Sequence, residues 1–263
     1  MAINKVSAGR GAAWINESIT SLRTGGKTIW VPALLIGLLG SIPMLNVLQG
    51  ILIIFFYASL VICISQTDPR SSVLSGFQNG NLNRLLPIML LNIAFAILVV
   101  AMLWPTLKVA VEAAMQGAEL PEEQAIALVK SMLEHFIWLV PAGIIMHWLT
   151  QLAVPLASLG GLSGTAAIQQ ALMAIISNLP AMLVNLICLF IVMCLVVIVF
   201  IIPLALISAA TAGNTLMTNF LTIPITTVMT AIMLALLSGN MLFAYRDVFG
   251  QAEPVTKDSE VLI

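Results

Sequence analysis

Residues 181–206 read AMLVNLICLFIVMCLVVIVFIIPLAL, and they lie near the middle of a longer stretch, residues 135–245, that contains no Asp, Glu, Lys or Arg. A soluble domain needs charged side chains over its surface to stay hydrated and dispersed. A stretch of this length without charge is instead typical of a chain that faces lipid. We therefore predict that most of this chain lies within a bilayer.

The overall composition agrees with a membrane protein. Hydrophobic residues form 60% of the chain and charged residues form 8%, whereas a typical globular domain has about 25% charged residues. The formal net charge is −1, so the composition gives no sign of the basic surface that nucleic-acid binding requires. The cysteines lie in apolar runs without the spacing of a metal site; they are Cys63, Cys188 and Cys194. We expect no cofactor, no metal and no nucleic-acid partner.

Six segments have the length and apolar character of membrane-spanning helices, which need about 20 residues. The predicted spans are residues 29–45, 47–65, 85–107, 136–156, 181–206 and 220–245. The third is expected to end at Trp104 and Pro105, because tryptophan favours membrane interfaces. The first is short and contains Pro32 and Gly37, so a re-entrant hairpin is the alternative for that segment.

Acidic residues are concentrated between the third and fourth spans, in residues 108–135. They are Glu112, Glu119, Glu122, Glu123 and Glu134, against Lys108 and Lys130. Pro121 followed by two glutamates predicts a helix start, and we expect that helix to run into the fourth span. Residues 1–250 are predicted to form a single transmembrane domain, with residues 251–263 as a flexible tail.

The distribution of lysine and arginine predicts the orientation of the chain. The segment before the first span has four positive residues, which are Lys5, Arg10, Arg23 and Lys27. The segment 108–135 is acidic on balance. With an even number of spans, we expect a multi-pass protein of the bacterial inner membrane with both termini in the cytoplasm and the acidic segment outside.

A short amphipathic segment followed by a polar or glycine-rich break precedes each pair of predicted spans. These segments are residues 12–22, 71–77 and 167–176. Helices of this kind can lie in the headgroup layer with their apolar faces toward the lipid. The predicted fold is therefore an all-α polytopic bundle of three repeated units, each an interfacial helix plus two spans. The alternative is ordinary loop helices whose similarity arises by chance.

The chain resembles a family of proteobacterial inner-membrane proteins, a conserved hypothetical family first named from a Burkholderia locus. The resemblance rests on Val6-Ser7-Ala8-Gly9-Arg10-Gly11 with Trp14, on the segment Gly161–Pro180, and on the closing residues 243–250, FAYRDVFG. It is more distantly similar to YciC-like membrane domains, which have the same three-unit plan. The resemblance implies a six-helix inner-membrane protein and carries over no activity and no functional residues.

No Asp, Glu, Lys or Arg lies within any predicted span. Ion-coupled carriers usually keep an ionisable residue in the membrane, and membrane hydrolases usually need carboxylate, histidine or metal clusters. We therefore expect no catalytic residues and no enzyme activity. Four polar residues inside the spans are the candidate binding residues: His147 and Gln151, one turn apart, with Asn92 and Asn185. The alternative role for these side chains is hydrogen bonding between packed helices.

These observations favour a non-catalytic protein that works by binding. We expect an accessory or assembly component of an envelope complex, or a lipid-interacting component, with membrane lipids and an envelope protein as partners. The alternative is a passive or partner-driven transporter of lipid or a small amphiphile, whose pathway would be lined by the four polar residues.

Overall fold

The computed structural model describes residues 1–65, 72–78, 80–115, 122–211 and 214–250. Helices form most of this described part, which contains no strand, so the predicted all-helical fold is confirmed. The helices are α1 (Arg10–Thr24), α2 (Gly26–Ser41), α3 (Pro43–Ser65), α4 (Asn81–Met115), α5 (Glu122–Ser158), α6 (Gly164–Ser177), α7 (Leu179–Ala210) and α8 (Thr215–Phe249), with a 3-10 turn at Ser75–Phe77. The predicted tail, 251–263, lies outside the described residues.

Among the described residues, five helices are long and apolar enough to cross a membrane, namely Leu45–Ser65, Asn81–Val109, Ile126–Ser158, Leu179–Ala210 and Met217–Phe249. The first predicted span, residues 29–45, is corrected to α2. This helix has 16 residues and extends about 24 Å, whereas a bilayer core is about 30 Å thick. It ends at Ser41, and the next residue, Ile42, has an extended backbone because the following Pro43 disfavours a helical conformation there.

One helix continues well beyond its predicted end, and another forms as one long helix as predicted. The α4 helix passes through Pro105, where the third span was expected to end, and reaches Met115. The α5 helix begins at Glu122 and is continuous into the fourth predicted span, as the sequence indicates. Membrane helices tolerate proline when neighbouring groups satisfy the freed carbonyl. With 35 and 37 residues, each helix extends more than about 50 Å and is longer than the hydrocarbon layer is thick.

The helices pack as three hairpins, α2–α3, α4–α5 and α7–α8. The second helices of these hairpins, α3, α5 and α8, all contact one another, and α8 also contacts α1 and α2. The largest buried cluster draws side chains from seven helices, including Trp14, Phe55, Leu85, Leu152, Ala171, Met182 and Tyr245. We call the end of the bundle that holds α1, α6 and the C-terminal end of α8 the near end, and the opposite end the far end.

Two of the three short amphipathic segments are helices, α1 and α6. The third, predicted at residues 71–77, is wrong over its described part, where only the 3-10 turn Ser75–Phe77 forms. Local serine side chains compete with a helix there: the Ser72 backbone N–H donates to Ser75 Oγ at 3.0 Å, and the Leu74 N–H donates to Ser72 Oγ at 3.3 Å. Ser71 lies outside the described residues.

Candidate functional site: a buried polar network and an apolar groove

Gln151 and Asn185, two of the four predicted binding residues, meet inside the bundle. Gln151 Nε2 donates to Asn185 Oδ1 at 3.2 Å. Asn185 Nδ2 donates to the Gly11 carbonyl oxygen at 3.0 Å and to Asn240 Oδ1 at 2.8 Å. Asn240 Nδ2 donates back to Asn185 Oδ1 at 3.1 Å. This polar network of α1, α5, α7 and α8 is fully buried, because none of its three amide side chains is more than 1% exposed.

The network depends on a close approach between two backbones. Gly11, in the first turn of α1, lies against the first turns of α7, where an added Cβ would overlap the Ala181 carbonyl oxygen. Only a residue without a side chain lets the Gly11 carbonyl come within reach of the Asn185 amide. Asn240 was missed by the sequence reasoning. Its signal was present, since an asparagine in the apolar α8 needs a hydrogen-bonding partner.

Asn92, the third predicted residue, belongs to a separate pair between α4 and α5. Its Nδ2 donates to the Ile88 carbonyl oxygen at 2.9 Å, and its side chain lies 3.2 Å from Thr150 Oγ1. Thr150 adjoins Gln151 on α5 but faces a different helix. The structure therefore brings Gln151 and Asn185 together and places Asn92 elsewhere.

His147, the fourth predicted residue, is mostly buried and is not joined to the other three. Its Nε2 atom has no hydrogen-bond partner among the described residues. Within that part of the chain, no group of three or more His, Cys, Asp or Glu residues could hold a metal ion. The polar network itself consists of neutral amides and a carbonyl, which can fix the spacing of helices and bind neutral polar groups.

A second polar cluster fastens α1 to the near end of α8. Asp247 Oδ2 accepts hydrogen bonds from Arg10 Nε and, at 2.7 Å, from the indole N–H of Trp14, which is fully buried. Arg10 also contacts Glu17 at 2.9 Å. The hydrogen bond to Asp247 is the largest of the effects that raise the pKa of Arg10. These contacts hold the N-terminal segment in place.

An apolar groove lies between α3 and α4, in the half of the bundle toward the far end. Its volume is about 860 Å³. The α3 wall includes Val47, Gly50 and Ile54, and the α4 wall includes Asn92, Ala96 and Trp104. None of the described residues that line it is charged, and Asn92 supplies the one amide, which is already hydrogen-bonded.

Small residues on both walls explain why the groove stays open. A Cβ placed on Gly50 would meet no atom within 4 Å, and Ala96 and Ala101 supply only methyl groups from α4. Closer to the C-terminal end of α3, the Phe55 ring stacks on Phe77 of the 3-10 turn at 4.8 Å between centroids. Small residues also allow helices to pack closely, so their positions in the sequence do not by themselves predict a groove.

Comparisons of the chain with protein-family models, with curated proteins and with solved structures find no match. The resemblance to the proteobacterial inner-membrane family stays a prediction.

Proposed function

We propose that this chain is a non-catalytic protein of a bacterial inner membrane that binds lipid in the groove between α3 and α4. The groove is the observation that carries the proposal. Its volume of about 860 Å³ lies within the range of small-molecule sites, which is roughly 300–1,000 Å³. Its walls are apolar and uncharged, so its occupant must itself be mainly apolar. Acyl chains are the apolar molecules available beside a membrane-spanning helix.

The contacts at the near end support six crossings. The Asn4 backbone N–H donates to the Val248 carbonyl oxygen at 2.7 Å, and Arg10 pairs with Asp247, so the segment before α2 and the end of α8 lie together. The α3 helix ends at the near end as well, because Val61 in its last turns packs in one buried cluster with Met241 and Leu242 of α8. Since α3 is long enough to cross the membrane, α2 must carry the chain to the far side, despite its length.

The packing of the short elements supports three repeated units. The α1 helix contacts the α7–α8 hairpin, the 3-10 turn contacts α3 of the α2–α3 hairpin, and α6 contacts the α4–α5 hairpin. The 3-10 turn and α6 thus each pack on the hairpin that comes before them in the chain. The α1 helix, which comes before the first hairpin, packs on the last one. Glycine makes the close approach in each case: a Cβ at Gly11, Gly76 or Gly164 would overlap a backbone oxygen of its neighbour.

The charges support a cytoplasmic near end. The described basic residues on this side are Lys5, Arg10, Arg23, Lys27, Arg84 and Arg246. The far-end parts of α4 and α5 carry Lys108 and Lys130 together with glutamates such as Glu112 and Glu134. Because cytoplasmic segments carry the excess of Lys and Arg, the near end and both chain termini are assigned to the cytoplasm.

Lipid retention by a groove-filling variant tests the proposal. Gly50→Leu places a side chain into the open groove, whereas Gly143→Leu adds the same side chain to α5 outside it, at a position that also has no atom within 4 Å. Native mass spectrometry of protein released from lipid nanodiscs should show bound lipid on the wild type and on Gly143→Leu. Gly50→Leu should lose that lipid. If Gly50→Leu retains as much lipid as the control, the groove is not the binding site.

A further inference from the structure

We propose that the groove binds a glycerophospholipid of the far-side leaflet, with its chain between α3 and α4 and its phosphate at Lys108. This inference rests on the proposed lipid-binding function and names the chemistry of the lipid. It also assigns a role to Lys108, one of the two lysines at the far end.

The direction of the groove determines how a lipid lies in it. The inner end of the groove is lined by apolar side chains such as Met89 and by the Asn92 amide, which is already hydrogen-bonded. At its outer end α3 begins at Pro43, while α4 continues past Trp104 to Met115. A charged headgroup would be left without partners at the inner end, so the chain must point inward and the headgroup outward.

Trp104 marks the level at which the headgroup lies. Trp104 lines the groove and is 54% exposed. Indole rings favour the boundary between hydrocarbon and headgroups, where one edge is apolar and the other wet. A phospholipid whose chain follows the groove therefore has its glycerol and phosphate groups next to, or just beyond, Trp104.

Lys108 lies one helical turn beyond Trp104 on the same face of α4. Its side chain is 58% exposed, and its partner Glu112 is 3.7 Å away in an equally exposed pair. Exposed pairs of this kind contribute little, so the ammonium group is free to bind another anion. Lysine binds phosphate as a point charge. On α3, Asn46 is exposed and directly precedes the groove residue Val47.

The test compares retained lipids after equilibration in nanodiscs that contain equal amounts of phosphatidylglycerol and phosphatidylethanolamine. A lysine near a membrane surface favours anionic lipid by about fivefold. Lys108→Gln should therefore lower the ratio of retained phosphatidylglycerol to phosphatidylethanolamine by about fivefold. Lys108→Arg should keep that ratio. Lys130→Gln removes an exposed charge from the same end of the bundle, away from the groove, and should leave the ratio unchanged.

The two proposals fail in different ways. If Lys108→Gln keeps the wild-type lipid ratio while Gly50→Leu still removes lipid, the groove binds lipid and the assignment of the phosphate to Lys108 is wrong. An equal fall of the ratio in Lys108→Gln and Lys130→Gln would show general surface charge and would also overturn the assignment. If Gly50→Leu removes no lipid, both proposals are wrong.

Discussion

Asn185 uses its whole amide group within the bundle. Its nitrogen donates to the Gly11 carbonyl oxygen and to Asn240, and its oxygen accepts from Gln151 and Asn240. Inside a bilayer no water replaces a lost partner, so each group left unpaired has a cost. The polar network therefore holds α1, α5, α7 and α8 in one arrangement.

Replacing Asn185 by alanine should destabilise the protein. Single hydrogen bonds between membrane helices contribute about 0.6 kcal/mol on average, and Asn185→Ala also leaves Gln151 and Asn240 without a partner. We expect a loss of about 1–2 kcal/mol in the free energy of unfolding, measured by titration with a denaturing detergent. Asn219→Ala, at an exposed position of α8, is the control and should change little. Equal stability of both variants would show that the network contributes nothing.

For individual residues, the sequence predicted which polar side chains lie within the spans but not which of them form hydrogen bonds with one another. Gln151 and Asn185 lie 34 positions apart, and their contact depends on α5 and α7 both packing against α8. The pattern of one helix cannot show which neighbouring helix a side chain faces. For the same reason Asn92 could not be assigned to Thr150 rather than to His147 or Gln151.

Glycine contacts determine how the short elements dock on the hairpins. Gly11→Ala should displace α1 from α7, because the added methyl group overlaps the Ala181 carbonyl oxygen and cannot move independently of the helix. Overpacking of this kind typically costs about 1–3 kcal/mol. Gly9→Ala is the matched control, since a Cβ there meets no atom within 4 Å. Thermal unfolding in detergent should show a clear loss for Gly11→Ala only, and the same melting temperature for both variants would rule out the tight contact.

The helices themselves were largely predictable, and their ends were not. Apolar length located α3, α4, α5, α7 and α8, because a bilayer requires about 20 apolar residues of each span. Proline was a poor indicator of their ends, since α4 continues through Pro105. The helix predicted at residues 71–77 gave way to a turn because hydrogen bonds of Ser72 and Ser75 compete with helical ones.

The three hairpins differ in length, and this difference shapes the whole molecule. The α2–α3 hairpin turns at Ile42 and its α2 has 16 residues, whereas α4 and α5 have 35 and 37 residues. The groove lies between α3 and α4, in the half of the bundle toward the far end. Its existence could not be predicted from the sequence, because it depends on how far α3 and α4 separate and on which side of α3 Gly50 lies.

The side of the membrane on which the α2–α3 turn lies decides whether α2 crosses, and both the proposed six crossings and the proposed far-side lipid site require that crossing. Single cysteines at Asn16, Asn46 and Lys130, in a chain whose Cys63, Cys188 and Cys194 are replaced by alanine, can be labelled with an impermeant maleimide. We expect Asn46→Cys and Lys130→Cys to react from the periplasmic side and Asn16→Cys to react only from the cytoplasmic side. Reaction of Asn46→Cys from the same side as Asn16→Cys would show that α2 does not cross and that the far-side lipid site is wrong.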